Sequence, residues 1–414
     1  ALSRSSQEWT GLRSYIKLLY PRVDVEERLV FSAELLALSR THLLDESEEI
    51  VQLQELLGLN GLDFDEMYRL TELLNEHFRW AEGIFILNRY REAYVDHQLD
   101  LYLLELKMLK QPHWEDNWVQ AVSSNTDIEL PDYQHKQSRE DRISIIYKNI
   151  LEMDPQMSDA LEFLGEQALT RGEDNDAIKY LERFDKTLSE PDDLGESRER
   201  SVLSKKIADL YMSIENYASA QSYYRRALSF NAVHLPTLRA LAPLCVQQGD
   251  LSEAAETYNQ ILSVVDGDDE QLPLLIKLIE LYLELGELKL ADKSLTRVIK
   301  IDVQNKSAKR LESHLAERKG FIEAAIKSWQ GFLFINGLSL EEYIEGLMNK
   351  GRLLEQLSKI ENADKHYLRV IEVQSNFAPA HVRHIRLLLS VGHGDKAKEA
   401  LNSAMGLISA EEQS

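Results

Sequence analysis

The sequence predicts an all-α chain made of helix pairs stacked on near-copies of themselves, and three observations predict it. First, a small and a bulky residue four apart recur as Ala177/Leu181, Ala220/Tyr224, Ala254/Tyr258, Ala291/Leu295, Ala325/Trp329, Ala363/Tyr367 and Ala397/Leu401. Successive alanines lie 43, 34, 37, 34, 38 and 34 residues apart. A period of about 34 is the length of two short antiparallel helices with their turns. Second, a glycine precedes the alanine by five residues in most copies: Gly172, Gly249, Gly286, Gly320 and Gly392. Glycine ends a helix cheaply because it accepts a left-handed backbone. Third, only 9 prolines and 18 glycines in 414 residues favour long helices.

Taken in order, residues 1 to about 118 read as helices without that period. Val25 to Leu44 is amphipathic and Glu46 to Leu57 follows, with Gly58 as its expected C-cap. An acidic cap, Asp63 or Asp65, opens a helix with Met67, Leu70, Leu74 and Phe78 on one face. Gln98 to Lys110 is apolar enough to be buried on more than one side. Trp9, Trp80, Trp114 and Trp118, four of the five tryptophans, fall here and are read as core. The expected organisation is an N-terminal all-α domain at 1–122, a polar linker at 123–137, a leading half-unit helix at 138–157, seven units at 158–408 and a tail at 409–414.

In the repeated part, the first helices agree among themselves. Leu161, Leu164, Gly165 and Ala168 keep offsets of three, four and seven; Ile207, Ala208 and Tyr211 do the same. So do Leu238, Leu241, Ala242 and Cys245, and Leu275, Leu278, Ile279 and Tyr282. Small residues such as Ala220 and Ala227 let neighbouring helices approach, and Tyr224 plugs the space between. The longer spacings coincide with polar insertions, Ser189 to Ser197 and Asp266 to Glu270. Pro155 closes the half-unit helix that precedes the first pair.

A large residue, then Leu-Gly, then Tyr, then Ala and an aromatic is a pattern similar to that of the tetratricopeptide repeat family. The resemblance covers about residues 138–408, with seven units from Ser158 to Leu407. It weakens in unit five, where Lys309 and Glu312 replace apolar residues, and in unit seven, where His381 and His384 do. It implies a right-handed superhelix with a concave inner surface lined by the first helices. It also implies a non-enzymatic scaffold or adaptor that engages protein or peptide partners there.

Composition narrows the partners. Lys and Arg total 47 against 70 Asp and Glu, a net charge of −23. Such a chain repels phosphate backbones, so nucleic acid is not an expected partner. No apolar run is long enough to span a bilayer. Cys245 is the only cysteine, which rules out an internal disulfide or a cysteine metal cage. A reducing, cytoplasmic setting fits that usage. The chain shows no GxxxxGK, GxGxxG, HExxH or GxSxG motif, so neither catalysis nor a cofactor is expected. His381, His384 and His393 have spacing that can hold a metal, yet no acidic or cysteine ligand completes the set, and no metal is expected.

One subgroup of the family clamps a peptide's C-terminal carboxylate with a basic residue and two asparagines, then Lys and Arg. By that resemblance units five to seven offer Arg310, His314, Asn349 and Arg383 at four of the five places. Pro379 holds the fifth, and His314 stands for Asn. Arg318, Arg352 and Arg386 add positive charge nearby, unexpected in so acidic a chain. An acidic or C-terminal peptide is one expected ligand; a helix surface laced by internal salt bridges is the other reading. The C-terminal edge, with Leu388, Leu389, Leu401 and Met405, is expected to pack on a partner, a second copy or a continuation of the chain. The alternative to the scaffold is a regulatory or targeting part of a larger multidomain enzyme, supported by the start without Met and the ending SAEEQS.

Overall fold

A computed structural model describes residues 6–111 and 136–411, with side chains described from 8 to 111 and from 138 to 406. Trp114, Trp118, nearly all of the 123–137 linker and the side chains of the 409–414 tail lie outside these limits. The described residues contain 21 α-helices and no strand. The chain divides into two compact units, Ala1–Glu190 and Pro191–Ser414.

The first unit holds α1 (Ser6–Leu19), α2 (Val25–Leu38), α3 (Glu46–Gly58), α4 (Phe64–Glu76), α5 (Trp80–Tyr90), α6 (Gln98–Leu109), α7 (Lys136–Met153), α8 (Ser158–Arg171) and α9 (Asp174–Thr187). The α2 helix ends earlier than its amphipathic run, because Ser39–Leu43 forms a π-helical turn that Leu44 closes at φ 48°. Asp63, not Asp65, caps α4, its carboxylate accepting from the Glu66 amide at 2.9 Å. The left-handed residue after α3 is Asn60 (φ 55°), not Gly58. Trp80 is fully buried, whereas Trp9 is half-buried and stacks on His42 at 3.8 Å between ring centres.

One core runs from Leu36 to Leu164, so α7 and α8 belong by packing to the helices before them. The fully buried Glu105 of α6 fastens that arrangement. It accepts from Arg142 of α7 at 2.7 and 3.0 Å and also pairs with Arg91.

The second unit holds six helix pairs: α10 (Leu194–Ser213) with α11 (Tyr217–Phe230), α12 (Leu235–Gln248) with α13 (Leu251–Val264), and α14 (Asp268–Leu285) with α15 (Leu288–Ile301). Next come α16 (Lys306–Arg318) with α17 (Ile322–Leu333), α18 (Leu340–Gln356) with α19 (Ile360–Val373), and α20 (Ala378–Ser390) with α21 (Gly394–Glu411). Together with α8–α9 these are seven pairs, numbered here as repeats one to seven. The polar insertions are partly absorbed as helix: α10 has 20 residues and α14 has 18, against 14 in α12.

All seven first helices stop in the same way. A residue one or two positions past the helix takes positive φ and donates three residues back, and the next amide donates five back, as in Gly249→Val246 and Asp250→Cys245. Five of those residues are the glycines read from the sequence. The other two are Glu215 (φ 60°) and Ser358 (φ 56°).

Packing inside a repeat explains the alternation of small and bulky residues. A Cβ on Gly165 would come within 2.6 Å of Leu181, and one on Gly351 within 2.7 Å of Tyr367. Ala220, Ala254, Ala291, Ala325 and Ala363 are all fully buried. The pair α4–α5 keeps the same register in the first unit. Phe78 is its stop (φ 58°), Gly83 sits five residues on in the alanine's place, and Leu87 follows four later. Met67, Leu70, Thr71 and Leu74 of α4 are fully buried at the matching first-helix positions.

Candidate protein-binding surface

Consecutive first helices of repeats five to seven are joined by opposite charges. Lys306 of α16 reaches Glu342 of α18 at 2.9 Å, and Arg310 reaches Glu345 at 3.7 Å. Glu317 of α16 takes both forks of Arg352 of α18, at 2.6 and 2.7 Å. Arg383 of α20 reaches Glu355 of α18 at 3.3 Å, and Glu355 also accepts from the Tyr367 hydroxyl. These spacings decide which cations are committed. The bidentate Arg352 is held by two short charge-assisted bonds, and that contact keeps the Glu317 carboxyl below its ordinary range. Arg310 and Arg383 each touch their glutamate through one longer contact.

The remaining expected residues divide by burial. Burial pushes the His314 imidazole below its ordinary value, and it meets Trp329 edge-on at 5.4 Å. It is therefore a neutral packing group at neutral pH. The Asn349 amide donates to the Glu345 carbonyl of its own helix at 3.1 Å, leaving its oxygen 3.5 Å from Arg352. Arg318 and Arg386 are exposed, and among the described residues no carboxylate lies in ion-pair range of either. The structure thus brings Arg310, His314, Asn349 and Arg352 together on α16 and α18, joins Arg383 to them through α18, and leaves Arg318 and Arg386 standing in solvent.

Sequence reasoning named the arginines and missed their glutamates. Among 70 carboxylates no single Glu stands out. The available signal was separation: Arg310 and Glu345, like Glu317 and Arg352, are 35 residues apart, close to the repeat's period of about 34.

Other candidates have settled partners. His381 bonds the Ser375 carbonyl at 2.7 Å and His384 pairs with Asp364. Among the described residues no three His, Cys, Asp or Glu side chains assemble as a metal site. Cys245 is fully buried and its thiol is pushed up to about 12, by burial first and by Glu253 second. No helix of the described residues is long and apolar enough to cross a membrane. At the C-terminal edge Leu389, Leu401 and Met405 are exposed by 58, 45 and 63 %, while Leu388 is half-buried.

Family models described as tetratricopeptide repeat match residues 205–270 and 344–377. No curated protein matches the chain. Among solved structures, a MamA protein shares 18 % identity over 43 % of this chain and 94 % of its own, with a TM-score of 0.37. YrrB, described as a TPR protein with an unusual peptide-binding site, shares 17 % over 45 % of this chain and 93 % of its own, at 0.36. A tetratricopeptide repeat protein from Parabacteroides merdae ATCC 43184 shares 15 % over 63 % and 93 %, also at 0.36.

Proposed function

Because the chain is a tetratricopeptide-repeat protein, we propose that it is a non-enzymatic scaffold that holds a partner protein or peptide against its first helices. The observation that carries this reading is the line of half-exposed arginines in repeats five to seven, in a chain of net charge −23. The proposed ligand is an acidic segment or a C-terminal carboxylate. It would displace Glu345 from Arg310 and Glu355 from Arg383, the two loosely held cations, while exposed Arg318 and Arg386 add attraction. Arg352 and His314 then act as positioning residues: one locks α16 to α18, and the other fills the space beside Trp329. A partner carboxylate gains a bidentate guanidinium contact where the internal glutamate has a single one.

Fluorescence anisotropy with an acidic peptide, compared as free acid and C-terminal amide, tests the reading. Arg383→Glu is expected to abolish binding and leave helicity intact, and added salt to weaken binding in the unaltered protein. Binding indifferent to both the substitution and salt would reject this surface.

A further inference from the structure

The first helices of repeats three and four enclose a cleft of ≈530 Å³ whose chemistry is opposite to that of the arginine surface. Its floor is apolar: Ile261 is buried, and Tyr258 and Leu274 pack half-buried beside it. Pro243 of α12 and Pro273 of α14 form its exposed walls, both inside helices. A proline has no N–H, so the carbonyl four residues earlier loses its helical donor. Those carbonyls belong to Arg239 and Asp269, both of which line the cleft. Asp269 and Glu270 add exposed carboxylates at the rim, and Arg239, the one cation among the described lining residues, is engaged by Glu270 at 2.9 Å.

Comparison with the neighbouring repeats shows what Pro243 removes. Tyr224 of repeat two occupies the place that Tyr258 holds in repeat three, four residues after the conserved-register alanine. The Tyr224 hydroxyl donates to Asp209 at 2.7 Å. Pro243 stands where Asp209 stands one repeat earlier, since each lies eleven residues before its alanine. Tyr258 therefore lacks the carboxylate that secures its counterpart, and among the described residues its hydroxyl has no hydrogen-bond partner. The cleft thus combines several acceptors with an apolar floor that holds one phenol, Tyr258.

The geometry points to a second docking site, for an extended peptide segment that pairs an arginine with apolar neighbours. A guanidinium carries five N–H donors and matches an acceptor-rich rim, can face the Tyr258 ring, and brings the charge that Asp269 and Glu270 complement. Leucine-like neighbours of the arginine would cover Ile261 and Leu274. This inference rests on the scaffold reading but uses different residues and the opposite ligand charge, so the two can fail separately.

The test is fluorescence anisotropy with a labelled peptide amide of alternating leucine and arginine, alongside a version carrying glutamate for arginine. The arginine peptide is expected to bind and the glutamate version not to. Asp269→Asn with Glu270→Gln should weaken binding about ten-fold. Pro243→Leu, which restores the helical N–H and fills the space, should abolish binding without loss of helicity, and Arg383→Glu should leave it unchanged. Arginine-peptide binding that survives both the rim and the Pro243 changes would overturn the site, as would no binding at all. Loss of acidic-peptide binding in Arg383→Glu, with the cleft still occupied, would show the two surfaces acting independently.

Discussion

Glu105 is the most deeply buried charged side chain among the described residues of the first unit. It has no exposure and two guanidiniums, one from the end of α5 and one from α7. Removing one member of a buried charge group leaves the others uncompensated, which costs roughly 3–5 kcal/mol. Glu105→Ala is expected to lose stability of that order in urea unfolding followed by circular dichroism, whereas Arg383→Glu on the surface should lose little. Equal losses in the two variants would mean that Glu105 is not the fastening point. Its role was not legible in the sequence, because an acidic residue amid Leu104 and Leu106 reads as a chance polar position until Arg142 folds back on it. The arginines of repeats five to seven were legible for the opposite reason, as positive charges in a chain with a surplus of 23 negative ones.

Helices show where the reading of spacing succeeded and where it stopped. The recurring alanine lies in the second helix of each pair, since a small residue at a close contact is a strict demand of packing. The same demand is met by Gly83 in α5, where a Cβ would lie 2.6 Å from Met108, but a search for alanine passes over it. The stops were likewise legible only where glycine marks them. Glu215 and Ser358 adopt the same backbone against the preference of a side-chain-bearing residue. Glu215→Gly and Ser358→Gly are each expected to raise stability by about 0.5–1 kcal/mol in urea unfolding, and the same change at an ordinary helical position to lower it.

The α18–α19 pair also carries a pH dependence. Burial first, and nearby Lys350 second, push the His366 imidazole down to about 4, while an unfolded chain binds that proton near 6.5. Between those values the unfolded state holds more protons, so this contribution to stability is present above about pH 6.5 and is lost as pH falls towards 4. His314, also lowered by burial, acts in the same direction. Glu317 and Glu253 are both shifted downward by arginine partners and stay charged through most of that range, so they do not reverse it. Urea midpoints should therefore fall between pH 7 and pH 5, and His366→Gln should reduce the fall. An unchanged fall in that variant would place the proton uptake elsewhere.

On the scale of the whole molecule, α20 and α21 together present an exposed apolar face, with Leu389, Leu401 and Met405 standing out of the fold. Replacing Leu389 and Leu401 with Lys is expected to lower the melting temperature little, because both residues are exposed, by 58 and 45 %. It should also lower the apparent mass in light scattering at high protein concentration. A mass equal to one chain before and after the change would show that the face does not self-associate.

Cys245 turns this fold into its own clock. A neutral, enclosed thiol reacts with a disulfide reagent only during the moments when its surroundings part. With one cysteine in 414 residues, every labelled molecule records an opening of the packing around Cys245. The rate of colour release from such a reagent thus measures how often α12 parts from its neighbours, α11 and α13. A segment seated beside Pro243 would slow that rate in step with its occupancy.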